Sequence, residues 1–164
     1  MSKLTVPEFL DVVKKTPLVA IDLVIQNKCG HIFVGKRVNN PAKNYWFVPG
    51  GRILKNELFA DTLVRLMREE LGIDHFIGSY IIMGVYDHLY ETCFYEPNPT
   101  ITTTHYVVTG VKIQIDNDAI DYSKIPAQHS HYKWIDVDSL LADESVHPNT
   151  KKYFTDTHSH QIDY

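Results

Sequence analysis

Cysteine is almost missing from this chain: 164 residues hold two, Cys29 and Cys93, with no C-x-x-C pair. That excludes a disulfide scaffold and makes a reducing cytoplasm the default location. Long apolar runs are missing too, so no stretch reads as a membrane span, and MSKLTVPEFLDVV lacks the continuous apolar core of a signal peptide. An excess of basic charge is also absent. Lys and Arg number 16 against 20 Asp and Glu, a net charge of −4, which argues against nucleic acid or an anionic membrane as the main partner. An acidic protein that binds a polyanion needs local cations or a metal, which draws attention to Arg37, Arg52 and Arg65. Repeats, low-complexity tracts and linkers are lacking. With 44% hydrophobic and 22% charged residues, the chain reads as one ordinary globular domain over residues 1–164.

Residues 50–73 are what the chain does have. Pro49-Gly50-Gly51 can turn tightly and bring backbone close to a ligand. From Glu57 the chain reads helical for about four turns, with Leu58, Phe59, Leu63, Leu66, Met67 and Leu71 apolar and Gly72 as the stop. Positions 65 and 69 share one face and 66 and 70 the next, so Arg65 pairs with Glu69 while Glu70 lies beside Leu66. Carboxylate oxygens and a loop carbonyl suit Mg²⁺, with diphosphate oxygens and water completing an octahedron. The spacing Gly51, Glu57, Arg65, Glu69-Glu70, Gly72-Ile73 closely resembles the Nudix box, G-x5-E-x7-R-E-U-x-E-E-x-G-U with U aliphatic. One fixed position differs: Leu66 stands where the family usually has Glu. One carboxylate fewer implies one metal ion rather than several.

Around this box the periodicities predict a helix from a capping box at Thr5 to about Lys15. A buried strand over 18–26 and a second over 31–37 form a hairpin across Asn27-Lys28-Cys29-Gly30. Further strands are expected at 45–48, 80–90, 102–115 and 132–135, with a loop at Glu96-Pro97-Asn98-Pro99 and a polar excursion over 116–128. Short helices are expected at 136–141 and 149–157. The order predicts an α/β fold, an α/β/α sandwich around a mixed sheet, which is also the fold the Nudix resemblance implies. Asp22 interrupts an apolar strand. A buried carboxylate is costly unless paired, so it is either a structural hydrogen-bond partner or a residue facing a pocket.

Segments along nearly the whole chain are similar to a narrower group, the GDP-mannose mannosyl hydrolases. They are Thr16-Pro17-Leu18-Val19, Gly35-Lys36-Arg37, Pro41-Ala42, Tyr45 to Arg52, Thr104 to Val108, Gln128-His129 and Val146-His147. Leu after the box Arg belongs to that group's pattern. The resemblance implies hydrolysis of GDP-mannose, or GDP-glucose, between sugar C1 and the β-phosphate oxygen, with inversion. It implies one Mg²⁺, replaceable by Mn²⁺, held by the Gly50 carbonyl, Glu70 and Gln128. It also implies His129 as general base, Arg37 and Tyr106 on the departing diphosphate, and Asp22 and His88 along the sugar. Lys3, Leu4 and Phe9 would hold the guanine, Arg52 would reach phosphate, Arg65 would be structural, and the protein would act as a homodimer.

The chemistry agrees with the missing carboxylate. Substitution at an anomeric carbon passes through an oxocarbenium-like state. A nucleoside diphosphate departs once its charge is neutralised, and inversion needs one base for one water. Taken singly, each residue has a plainer reading. His129 lies in a polar stretch with His131 two residues on, Phe9 suits a core, and Tyr106 could simply pack. His158 and His160 suit a disordered tail. Asp87 beside His88, where that group has Gln, leaves the hexose open. The alternative activity is a Nudix pyrophosphatase attacking phosphorus; a third class is a binding module without catalysis.

Overall fold

The computed structural model describes residues 4–75, 78–92, 103–125 and 129–155, with only the backbone of His129. Lys3, Gln128, the 96–99 loop, His158 and His160 therefore lie outside the described residues. Helix α1 (Val6–Lys15) starts as predicted, the Glu8 carboxylate accepting from the Thr5 amide at 2.8 Å and its hydroxyl at 2.7 Å. Strands β1 (Leu18–Gln26) and β2 (Ile32–Arg37) form the expected antiparallel pair. Next come β3 (Trp46–Phe47), β4 (Gly50–Arg52) and helix α2 (Phe59–Leu71). After α2 the chain forms the long strands β5 (Tyr80–Tyr90) and β6 (Thr104–Gln114). A 3-10 turn (Asn117–Ala119), β7 (His129–Ile135) and helices α3 (Val137–Ala142) and α4 (Pro148–Thr155) follow.

The strands make one mixed seven-stranded sheet with path β3-β2-β1-β6-β5; β4 pairs with β1 and β7 with β2. β1 runs parallel to β6 over its full length, from Leu18 opposite Tyr106 to Gln26 opposite Gln114. Ile21, Leu23 and Ile25 face α2 and pack against Leu63, Leu66, Met67 and Leu71. On the other face Val24, Phe47 and Tyr86 pack against Leu140 of α3 and Tyr153 of α4. Each such fully buried side chain contributes about 1.5–3 kcal/mol, and the two apolar layers close the predicted α/β/α sandwich. Among the described residues no helix is long and apolar enough to cross a membrane.

Three local expectations change. Glu57 does not open the helix: α2 begins at Phe59 with Leu58 as N-cap, because the Glu57 carboxylate folds back to accept the Leu54 amide at 3.0 Å. The double glycine is not a free turn but strand β4, with Gly50 opposite Asp22 and Gly51 opposite Ile21. A Cβ at Gly50 would strike the Asp22 carboxylate and the Ile21 carbonyl, and one at Gly51 would come within 2.7 Å of Leu66. Close packing, rather than an unusual φ, requires these glycines. His129 is not in a polar loop, since β7 starts there, opposite Arg37. Gly72 does stop α2 in the left-handed region at φ 69°, its amide and that of Ile73 closing on the Arg68 and Met67 carbonyls.

Candidate active site

Arg65 organises the box. Its Nε and Nη2 donate to the two oxygens of Glu57 at 2.6 and 2.9 Å, Nη1 donates to Glu69 at 2.9 Å, and Nη2 donates to the Arg52 carbonyl at 2.8 Å. The predicted Arg65–Glu69 pair is present, but the bidentate partner is Glu57. This clamp ties the loop before α2 to β4 and to the helix. Glu57 and Glu69 are thereby committed to structure, and the position that would carry a further carboxylate is Leu66, 2% exposed in the core.

The clamp has a pH signature. The Arg65 hydrogen bonds hold the Glu57 carboxyl down at about 2, below its ordinary 4.5. A depressed carboxyl contributes stability that is present above its unfolded value and lost as pH falls through its folded one. Part of the protein's stability should therefore disappear between pH 4.5 and about 2. Urea midpoints measured across that range should fall steeply for the parent and more shallowly for Glu57→Gln. That variant should also be about 2–3 kcal/mol less stable at pH 7, since one partner of a largely buried pair is lost. Equal acid slopes would show that the clamp is not the acid-sensitive element.

Glu70 points from the buried side of α2. It is 5% exposed, and burial pushes its carboxyl up to about 7, against the pull of the Arg37 guanidinium. Asp22 on β1 is 8% exposed and likewise pushed up to about 7 by burial, opposed by a hydrogen bond from Tyr153 and by Arg37. Arg37, at the end of β2, thus acts on both acids. It lies 5.8 Å over the Phe47 ring, and its buried Nε has no hydrogen-bond partner among the described residues. A buried guanidinium donor left open beside two acids is suited to an incoming phosphate oxygen.

His88 on β5 is 2% exposed, and burial, helped by Lys152 and His147, pulls its imidazole down to about 3. It is neutral at physiological pH. Tyr106 stands opposite His88 in the β5–β6 ladder, with its ring 6.0 Å from that of Tyr90. Arg37 acts on both Asp22 and Glu70, His88 comes within 3.9 Å of Asp22, and β7 delivers the His129 backbone opposite Arg37, so these residues share one neighbourhood. Phe9 and Arg52 form a separate pair: the Arg52 guanidinium sits 4.2 Å over the Phe9 ring, which is buried with Val13 and Leu18. Leu4, just ahead of α1, is exposed.

Two residues to which the sequence reading attached no role join this neighbourhood. Burial and Arg37 pull the His147 imidazole down to about 4, and its Nδ1 accepts the Asn149 amide at 3.1 Å. Its ring packs against Tyr45, Phe47 and Tyr90 at 5.1–5.6 Å. Tyr153, from α4, bonds Asp22 at 2.7 Å. Val146-His147 is one of the segments of resemblance but implied no role for His147, and Tyr153 is only an aromatic residue on a short polar helix, which is no signal of a site.

Among the described residues no three His, Cys, Asp or Glu side chains gather as a metal-binding set. The expected ligands would supply only one such side chain, Glu70, with the Gly50 carbonyl and Gln128. Their all-oxygen chemistry fits Mg²⁺. A dication would also offset the burial that holds Glu70 up near 7.

Residues 16–157 match the family model described as the NUDIX domain. The chain is 36% identical to a low-salt glycan biosynthesis protein, Agl8, of Haloferax volcanii, over 89% of this chain and 85% of that protein. An RNA pyrophosphohydrolase of Wolbachia sp. subsp. Brugia malayi is 28% identical over 74% of this chain and 76% of its own length. In three dimensions the MutT NUDIX hydrolase of Burkholderia pseudomallei superposes with a TM-score of 0.66, at 22% identity, covering 85% of this chain and 96% of that one.

Proposed function

The chain belongs to the Nudix hydrolase family, and from that premise we propose that it hydrolyses GDP-mannose, or GDP-glucose, at sugar C1 with inversion, releasing GDP and the free sugar. One observation carries this reading. Leu66 is in the core, and Arg65 holds both Glu57 and Glu69, so Glu70 is the box carboxylate clear of the clamp. Such a site suits one cation. One cation is enough to stabilise a departing diphosphate but few to build a hydroxide for attack on phosphorus. Similarity to a glycan biosynthesis protein supports a sugar nucleotide as substrate.

In this reading the Gly50 carbonyl, Glu70 and Gln128 hold one Mg²⁺, which neutralises charge on the leaving diphosphate when bound. Arg37 and Tyr106 engage that diphosphate. His129 takes the proton of the attacking water, and Asp22 and His88 fix the sugar. Phe9, Leu4 and Lys3 serve the guanine end, and Arg52 reaches phosphate. A single domain over residues 1–164, working in the cytoplasm as a homodimer with neither nucleic acid nor membrane as partner, completes the proposal.

The test is incubation with GDP-mannose and Mg²⁺, with nucleotides separated by anion exchange and the fresh sugar's anomer read by proton NMR. GDP with β-mannose is expected. GMP with mannose 1-phosphate would establish attack at phosphorus instead, the reading that similarity to an RNA pyrophosphohydrolase favours.

A further inference from the structure

We infer that Tyr153 is a positioning residue whose one hydroxyl sets both the Asp22 carboxylate and the His88 imidazole. The inference rests on the proposed role of Asp22 in the sugar pocket. Asp22 is caught from two sides. Its Oδ2 accepts the Tyr153 hydroxyl at 2.7 Å, across 131 residues of sequence. Its Oδ1 lies against Gly50, where a Cβ would collide with it. The phenol and the bare backbone of β4 therefore fix which way the carboxylate plane faces.

The Tyr153 ring is itself seated to deliver that hydroxyl. It meets Tyr86 edge-on at 4.8 Å, and it lies so close over Gly110 that a Cβ there would come within 2.9 Å of Cε1. Packing alone needs only the ring, and a phenylalanine would fill the same slot. The buried hydroxyl is what a packing role leaves unexplained, because a buried donor is retained at a cost unless it is used.

His88 completes the chain. Its Nε2 is 3.4 Å from the same phenolic oxygen, while its Nδ1 is 3.9 Å from Asp22, too far for a hydrogen bond. A phenol has one proton to give. With that proton on Asp22, its oxygen can only accept from His88, which places the imidazole proton on Nε2. The order is His88 to Tyr153 to Asp22, and it joins β5, α4 and β1 at one point.

A double-mutant cycle on GDP-mannose tests this. Tyr153→Phe should fold, lower kcat by roughly tenfold and leave KM within about twofold, the effect of losing a hydrogen bond to a charged group in the reacting geometry. In an Asp22→Asn background the same change should have almost no further effect. Gly110→Ala, which keeps the hydroxyl but displaces the ring, should reproduce the kcat loss and the same dependence on Asp22, and it serves if Tyr153→Phe melts too low to assay. An unchanged kcat, or an equal factor in both backgrounds, would overturn the positioning role. The parent's products report separately on the reading it rests on. GMP with mannose 1-phosphate would remove cleavage at C1 while the coupling still decided the role of Tyr153, and a parent that turns over no GDP-sugar ends both.

Discussion

His129→Ala is expected to hydrolyse GDP-mannose about a thousandfold more slowly than the parent, with an unchanged melting temperature. The size follows from the task. Inversion at C1 needs one group to take a proton from water as the bond forms, and positioned general bases contribute factors of about a hundred to ten thousand. An imidazole of ordinary acidity is half-deprotonated near neutral pH and suits that task. Placement of the backbone agrees, since β7 opens at His129 directly across from Arg37, whose guanidinium acts on Asp22 and Glu70. Of the other histidines near the site, His88 and His147 are held neutral by burial, at about 3 and 4. Such weak bases are poor proton acceptors. His131 is the necessary control: it is exposed and within 3.1 Å of Ser130, and His131→Ala should keep the parental rate. A reversed pair of results would move the base two residues along the strand.

Glu70→Gln is expected to lower kcat at saturating substrate roughly a hundredfold and to raise the Mg²⁺ concentration needed for half-activity at least about tenfold. Its effect on stability should have the opposite sign. Glu70 has a folded carboxyl raised to about 7 from an ordinary 4.5. A raised acid binds more protons folded than unfolded in that interval, so the parent loses stability as pH rises through it. Without metal at pH 8, Gln carries no such buried charge, and the variant should melt at or above the parent. Adding Mg²⁺ should then raise the melting temperature of the parent and leave that of Glu70→Gln almost unmoved. An identical Mg²⁺ titration for both proteins would take Glu70 out of the metal site.

Much of the fold was legible because it is written in side-chain periodicity. β1 lies where a β-branched, apolar run put it, β5 covers the expected 80–90, and α2 ends at the glycine that sequence reasoning chose. What periodicity does not encode was missed. Gly50-Gly51-Arg52 has no side-chain pattern to betray a strand, and its pairing with β1 is visible only as the collision a Cβ would make. Glu57 reads as the first helical residue until its carboxylate is seen to serve as a tether between the Leu54 amide and Arg65. Of the site, Asp22 was recognised as anomalous from its apolar strand, but the choice between structural partner and pocket residue could not be made there. The structure gives it a buried partner, Tyr153, and places it beside Arg37. Tyr153 carried no signal at all, and His147 was marked only as part of a segment of resemblance, without a role. Their contacts reach elements distant in sequence, Phe47 for His147 and Asp22 for Tyr153.

The full-length parallel ladder of β1 on β6, with β2 and β4 along the other edge of β1, has a consequence for how the protein fails. Amide hydrogens on a strand held from both sides exchange with solvent only when the whole molecule opens. Asp22 sits at the middle of that ladder, opposite Gly110 and Gly50. Its geometry is therefore not something local fraying can erode. Deuterium uptake at Asp22 and loss of turnover should follow the same curve in rising denaturant, because the Asp22 carboxylate and the global fold are protected by the same strand.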